Sequence, residues 1–240
     1  MRFTGKTETG LRPQNEDNFL LLHTDAFDAV AVADGMGGHN AGEVASLTAV
    51  ETMQRVLSEG SENWESLLYR AETAANEAVH TLASTDDAMY GMGCTLVSAI
   101  FDAHRFTAAN VGDSRLYHFD GESLRQVTHD HSFVAELVRR GAITEEEART
   151  HPRNNLITRA IGTEMRVSVD LFSCDWKKGD MLLLCSDGLS GVLRDAEMAS
   201  HLIGCDDLDA ACNALIRHAL ENGSRDNITV VLVKNDGGDA

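Results

Sequence analysis

The chain has 240 residues, of which 43% are hydrophobic; Asp and Glu number 38 against 20 Lys and Arg, a formal net charge of −18. That apolar fraction excludes a disordered chain, and the length suits one domain spanning 1–240. The acidity argues against general binding to nucleic acid or to anionic membranes, and a phosphate-bearing ligand would need a local positive site: a metal, an arginine or both.

The first strong element runs from Phe27 to Ala33, a buried strand leading into Asp34. A helix is predicted over 41–57, with Val44, Ala45, Leu47, Val50, Met53, Val56 and Leu57 on one stripe and Gly60 as its stop. A second, over 61–83, carries Trp64, Leu67, Leu68, Ala71, Ala75, Ala78, Val79 and Leu82. From Cys94 the period shortens. Runs at 94–101, 105–111, 115–119 and 123–127, separated by Asp-Ala-His, Gly-Asp and Asp-Gly-Glu, read as a β-meander. A short helix is expected over 131–141, and Thr144 to Glu147 has the pattern of a capping box for another. The polar stretch up to Asn155 reads as mobile surface. Strands follow at 167–172 and 181–185, helices at 195–203 and 208–221, and a closing strand at 227–234. Long helices between runs of strands argue for sheets covered by helices, an α+β chain, and not for a parallel βαβ array.

Pro13 and Pro152 are the sole prolines, and no Gly/Ser-rich linker divides the chain. Cys94, Cys174, Cys185, Cys205 and Cys212 form no Cys-x-x-Cys pair, the N-terminus lacks the apolar core of a signal peptide, and no apolar run approaches the ~18 residues of a membrane span. A cytoplasmic protein with reduced thiols is the expectation.

Four aspartates stand where strands are predicted to end: Asp34 in Val32-Ala33-Asp34-Gly35-Met36, Asp113 in Val111-Gly112-Asp113-Ser114, Asp187 in Cys185-Ser186-Asp187-Gly188, and Asp226 in Arg225-Asp226-Asn227-Ile228. Taken singly, each is more readily a turn residue. If Asp34, Asp187 and Asp226 converge, their mutual repulsion makes them hold protons unless cations are present. Two hard ions about 3.5–4 Å apart would relieve it and would suit displacement at phosphorus. Glycine beside Asp34 lets a backbone carbonyl approach such an ion, and Arg12 offers a planar fork for two phosphate oxygens.

The motifs resemble, in order, those of the bacterial branch of the metal-dependent protein serine/threonine phosphatases, the type 2C or PPM family. They run from Arg12-x-x-Asn15-Glu16-Asp17 through Asp34-Gly35-Met36-Gly37-Gly38, Gly93-Cys94-Thr95, Gly112-Asp113-Ser114-Arg115 and Thr128-His129-Asp130-His131-Ser132. They continue through His151-Pro152 to Thr158-Arg159-Ala160-Ile161-Gly162, Ser186-Asp187-Gly188 and Asp226-Asn227-Ile228-Thr229. The resemblance implies a four-layer αββα sandwich of two packed antiparallel sheets flanked by helices. It implies two tightly bound Mn²⁺ or Mg²⁺ ions and a weaker third. Asp34 would bridge the pair, the Gly35 carbonyl would bind one ion, Asp187 and Asp226 would hold the other, and Asp113 with Asp187 would hold the third. Asp17 would act through a metal-bound water, Arg12 would hold the substrate phosphate, and the segment from about 131 to 155 would be a flap beside the site. The implied reaction is hydrolysis of phosphoserine and phosphothreonine by a metal-bridging hydroxide with no phosphoenzyme, by a monomer acting opposite a bacterial serine/threonine kinase.

Two positions depart from the family pattern. Met36 stands where the animal members have a histidine thought to protonate the leaving group, so His39 or a metal-bound water is left to serve; by itself His39 reads as a polar helix-start residue. Cys94 replaces the usual threonine and reads as a small buried substitute. His80, His104 and His218 lack ligand spacing. The rival readings are a non-catalytic phosphoprotein binder, opposed by the complete set of aspartates and Arg12, and a phosphatase of small molecules in the same fold.

Overall fold

Strands β1 (Arg2–Glu8), β2 (Asp17–His23) and β3 (Asp28–Met36) lead into helices α1 (Ala41–Glu59) and α2 (Trp64–Thr85) in a computed structural model that describes residues 1–37, 41–60 and 63–237. Strands β4 (Gly93–Cys94), β5 (Leu96–Phe101), β6 (Arg105–Val111), β7 (Arg115–Phe119) and β8 (Leu124–Gln126) follow, then helices α3 (Phe133–Arg139) and α4 (Glu145–Arg149). The chain ends with β9 (Asp170–Asp175), β10 (Met181–Cys185), α5 (Asp187–Ser190), α6 (Asp195–Leu202), α7 (Leu208–Glu221) and β11 (Ile228–Lys234). His39 lies outside the described residues.

Every strand pairing is antiparallel. One sheet has the order β1-β11-β10-β7-β8; the other has β2-β3-β5-β6-β9, with β4 beside β3. The alternation of side chains along a strand sorts the core into three clusters. Along β3, Ala29, Ala31 and Ala33 face α1 and α2, whereas Val30 and Val32 face the opposite sheet. Along β10, Leu182 and Leu184 meet them there, while Met181, Leu183 and Cys185 turn outward under α6 and α7. Strands buried on both faces read as continuous apolar runs, and the result is the four-layer αββα sandwich.

The predicted meander is not one. β5 and β6 belong to one sheet and β7 and β8 to the other, so the chain changes sheets after β6. Gly112, at φ +118°, makes the turn, and a Cβ there would come within 2.6 Å of the Thr95 side chain. That crossing places Asp113 at the rim between the sheets. β1, whose Arg-Phe-Thr-Gly-Lys-Thr-Glu carries no apolar run, escaped the sequence reading because it is a half-exposed edge strand. β3 also runs further than predicted, so Asp34 lies inside it, and Asp226 precedes a strand where the sequence suggested one ending. The segment from 131 to 155 is tethered: Arg149 donates to Leu193 O at 3.0 Å, and Arg194 grips both oxygens of Glu146 at 2.8 Å. Among the described residues no helix is long and apolar enough to cross a membrane.

Candidate metal centre

The aspartates gather at one rim because five strand ends meet there: the start of β2, the ends of β3, β6 and β10, and the start of β11. Asp17 and Asp34 are direct cross-strand partners on β2 and β3. Asp34 is fixed through its backbone, whose N–H donates to Thr95 Oγ1 at 3.0 Å and whose carbonyl accepts from Thr95 N at 2.8 Å. Thr95 Oγ1 also bonds Ser114 Oγ at 2.7 Å, which ties β3 to the turn that carries Asp113. Asp187 opens α5 directly after β10.

Asp17 joins the two sheets. Its Oδ2 accepts from Ser186 Oγ at 2.8 Å and from Thr229 Oγ1 at 2.7 Å, both on the opposite sheet's rim. Its Oδ1 is buried without a partner. Burial pushes this carboxyl up to about 7, against the pull of those two hydroxyls and with the help of Asp187 and Asp226. Asp34 is held well above the ordinary carboxylate range by burial and by Asp17, Asp187, Asp113 and Asp226 in turn. Asp113 is raised to about 8 by burial, then Asp187 and Asp130. Asp187 is raised by burial, then Asp226. By exposed area Asp34, Asp113, Asp187 and Asp226 are only half-buried. For Asp17, Asp34, Asp113 and Asp187 the common cause is burial, to which the neighbouring carboxylates add.

Such a set is suited to cations. All the side-chain donors are oxygen, which matches Mg²⁺ or Mn²⁺ and not a thiolate- or imidazole-preferring ion. A Cβ at Gly35 would come within 2.2 Å of Gly42 O and 2.5 Å of Glu16 O, so only glycine fits that bend of backbone. Among the described residues no three His, Cys, Asp or Glu side chains are arranged as a finished site. Asp17 is turned to its hydroxyl partners, and Arg12 Nη2 sits 2.7 Å from Asp226 Oδ2 while Asn227 N–H holds Asp226 Oδ1 at 2.9 Å. Arg12 therefore lies at the rim as expected, but on a carboxylate.

A profile of the protein phosphatase 2C family matches residues 5–231. The chain belongs to the protein phosphatase 2C family. It is 41% identical over 241 residues to the serine/threonine phosphatase stp of Listeria monocytogenes, covering 96% of this chain and 94% of that one. The crystal structure of the serine/threonine phosphatase Stp1 from Staphylococcus aureus superposes with a TM-score of 0.91 at 35% identity, covering 97% of this chain and 94% of that one. The catalytic domain of the phosphatase PstP, solved in complex with two manganese ions, gives 0.86 at 34% identity, with 97% of each chain covered.

Within this member of the family, the residues that sequence reasoning missed are supports. Ser186 and Thr229 orient Asp17. Thr95 and Ser114 fix Asp34. Asn227 holds the Arg12 loop, accepting from Glu16 N at 2.8 Å and donating to Thr9 O and Gln14 O at 2.9 Å. The available signal was a hydroxyl or amide within three residues of Asp113, Asp187 and Asp226 (Ser114, Ser186, Asn227 and Thr229); Thr95 gave none, standing 61 residues from Asp34. Cys94 is fully buried against α1, with Sγ 3.8 Å from Ala45 O. A cleft of about 660 Å³ opens from Asp113 and Asp187 beneath α3 and α4, with Arg139, Arg149 and Arg194 on its walls.

Proposed function

We propose that this protein phosphatase 2C chain hydrolyses phosphoserine and phosphothreonine in proteins with two Mn²⁺ or Mg²⁺ ions held at the rim. The observation that carries the reading is the gathering of Asp17, Asp34, Asp113, Asp187 and Asp226 within charge-interaction distance at one rim. Asp34 would bridge the pair, with the Gly35 carbonyl on one ion, Asp187 and Asp226 on the other, and Asp113 with Asp187 on a weaker third. When bound, the ions would supply Lewis-acid activation of a water for in-line attack at phosphorus and would offset the charge of the phosphoryl oxygens. Asp17, its Oδ2 held by Ser186 and Thr229, has Oδ1 unpartnered, so that oxygen would be free to hold a proton at the site. Arg12 exchanges Asp226 for a phosphate oxygen pair. The site draws strands from both sheets, which supports reading 1–240 as one catalytic unit with the flap at about 131–155. The counterpart of such an activity is a serine/threonine kinase.

The test is release of phosphate from a phosphothreonine peptide. Turnover is expected with Mn²⁺, to be lost on metal stripping and chelation, and to return when Mn²⁺ is restored. Undiminished turnover of stripped protein in excess chelator would rule out the metal mechanism.

Arg12→Ala is expected to raise KM more than it lowers kcat, because the grip is made to ground state and transition state alike. A charge-assisted hydrogen bond contributes about 1.5–3 kcal/mol, so a tenfold or larger rise is expected. An unchanged KM on a phosphopeptide counts against the clamp. Asp113→Ala is expected to lower kcat strongly while two tight ions remain on metal analysis, since few other protein oxygens face the third position. Loss of both tight ions would place Asp113 in the core centre, and an unchanged kcat would leave it a turn residue.

A further inference from the structure

His131 opens the flap segment, and its motif, Thr128-His129-Asp130-His131-Ser132, has no part in the chemistry at the rim. Its side chain is buried, 3% exposed. Against it lies the turn Val111-Gly112-Asp113, where the chain leaves β6 for the other sheet. His131 holds Gly112 on both sides. Its backbone N–H donates to Gly112 O at 2.9 Å, and its ring Nδ1 accepts from Gly112 N–H at 3.0 Å. The ring proton therefore sits on Nε2, which faces Asp170 Oδ2 at 3.1 Å. Arg159 Nη1, 2.8 Å from that nitrogen, gives its own protons to Asp170 Oδ1 at 2.7 Å and Ser168 O at 3.0 Å. His131 O accepts from Thr158 N–H at 2.8 Å, and Phe133 N–H donates to Leu156 O at 2.8 Å, so the two roots of the flap are joined here.

Given the phosphatase function proposed for the rim, on which this rests, we propose that His131 is a positioning residue for Asp113: it clips Gly112 so that the Asp113 carboxylate stays toward Asp187. Glycine has the freest backbone of any residue, and Gly112 at φ +118° occupies a region other residues rarely adopt. The carboxylate it delivers shares a cleft with Asp187 and is repelled by it, then by Asp130. Rotation about the Gly112 dihedrals would swing Asp113 outward and relieve that repulsion. Bonds to both the N–H and the carbonyl of Gly112 oppose rotation on either side of its Cα. Asn110 Nδ2 supports the carbonyl side at 3.2 Å, and the His131 ring supports the N–H side. Asp170 in turn keeps the ring from turning its Nδ1 away from Gly112. A ligand to a weakly held ion depends on such placement, because few other protein oxygens hold that ion in position. His131 stands 19 residues from Gly112 and 39 from Asp170, so no local motif shows the contact.

The test is a double-mutant cycle with Asp113 on the full chain, read as Mn²⁺-dependent phosphate release from a phosphothreonine peptide. His131→Leu is expected to lower kcat at least about tenfold in the parent, and less than about twofold where Asp113→Ala is already present. KM is expected to stay within about twofold, since the phosphate grip belongs to Arg12. His131→Asn, whose Oδ1 can take the place of Nδ1 toward Gly112, is expected to recover most of the lost kcat. A support of the fold at large would slow both backgrounds alike, so equal losses overturn the proposal, as does an Asn variant no better than Leu. Exchange of the Gly112 amide hydrogen in chelated protein is a readout without turnover. It is expected to quicken at least about tenfold in His131→Leu and to stay near the parent rate in His131→Asn; an unchanged rate in His131→Leu overturns the clip. A parent without Mn²⁺-dependent turnover would defeat the phosphatase function, and the exchange rates then decide on the clip by themselves. If His131→Leu fails to fold, Asp170→Ala, which unlatches the ring and leaves it in place, enters both measurements in its stead.

Discussion

Asp34→Asn is expected to reduce Mn²⁺-dependent phosphate release by at least about 10²-fold, the scale set by removing one preorganised electrostatic group from an active site. It is also expected to raise the Tm of chelator-treated protein. Both follow from one fact: Asp34 faces four other carboxylates in ground that disfavours charge. In a working centre the bridging carboxylate would hold two ions, and a neutral amide holds neither. Without ions the same carboxylate is a source of repulsion, and the amide removes it. The backbone of residue 34 is held by Thr95 regardless of the side chain, so the fold tolerates the change. Parent-level turnover would remove Asp34 from the centre, and a fall of several degrees in metal-free Tm would make it a structural group.

Glu72→Gln is expected to stabilise the protein above about pH 8 and to flatten its stability profile below. Glu72 lies on α2, fully buried against β5, with Oε1 accepting from Ser98 Oγ at 2.8 Å and Oε2 unpartnered. Burial pushes it from 4.5 up to about 8, despite the Ser98 hydrogen bond and with a small contribution from Asp170. Between those values the folded chain keeps a proton that the unfolded chain has lost. Stability therefore falls as pH rises through the window, by about 1.4 kcal/mol per pH unit for this group. The contribution is complete below 4.5 and gone above the folded value. Glutamine is neutral throughout, so denaturation of the variant should lack this slope. Superimposed stability curves of the two proteins from pH 5 to 9 would show that Glu72 does not titrate in the fold.

The long elements were legible because their periodicity is the physics that forms them. The apolar stripes of α1, α2 and α7 and the largely apolar runs of β3, β5, β6, β10 and β11 need no partner to be recognised. The polar edge strand β1 and the short α5 carry no such pattern. The order of aspartate motifs likewise pointed to the family before any contact was known. What the chain could not reveal locally is everything that depends on which ends meet. The change of sheet at Gly112 looks like one more hairpin until the pairing of β7 with β10 is seen. Ser186 and Thr229 hold Asp17 from 169 and 212 residues away. Arg12 rests on Asp226 across 214 residues, and His201 meets His218 only because α6 lies on α7. Periodicity and turn chemistry act between near neighbours along the chain. Proton affinity, hydroxyl support and ligand convergence depend on distance in space, and only the packed sheets and helices set that.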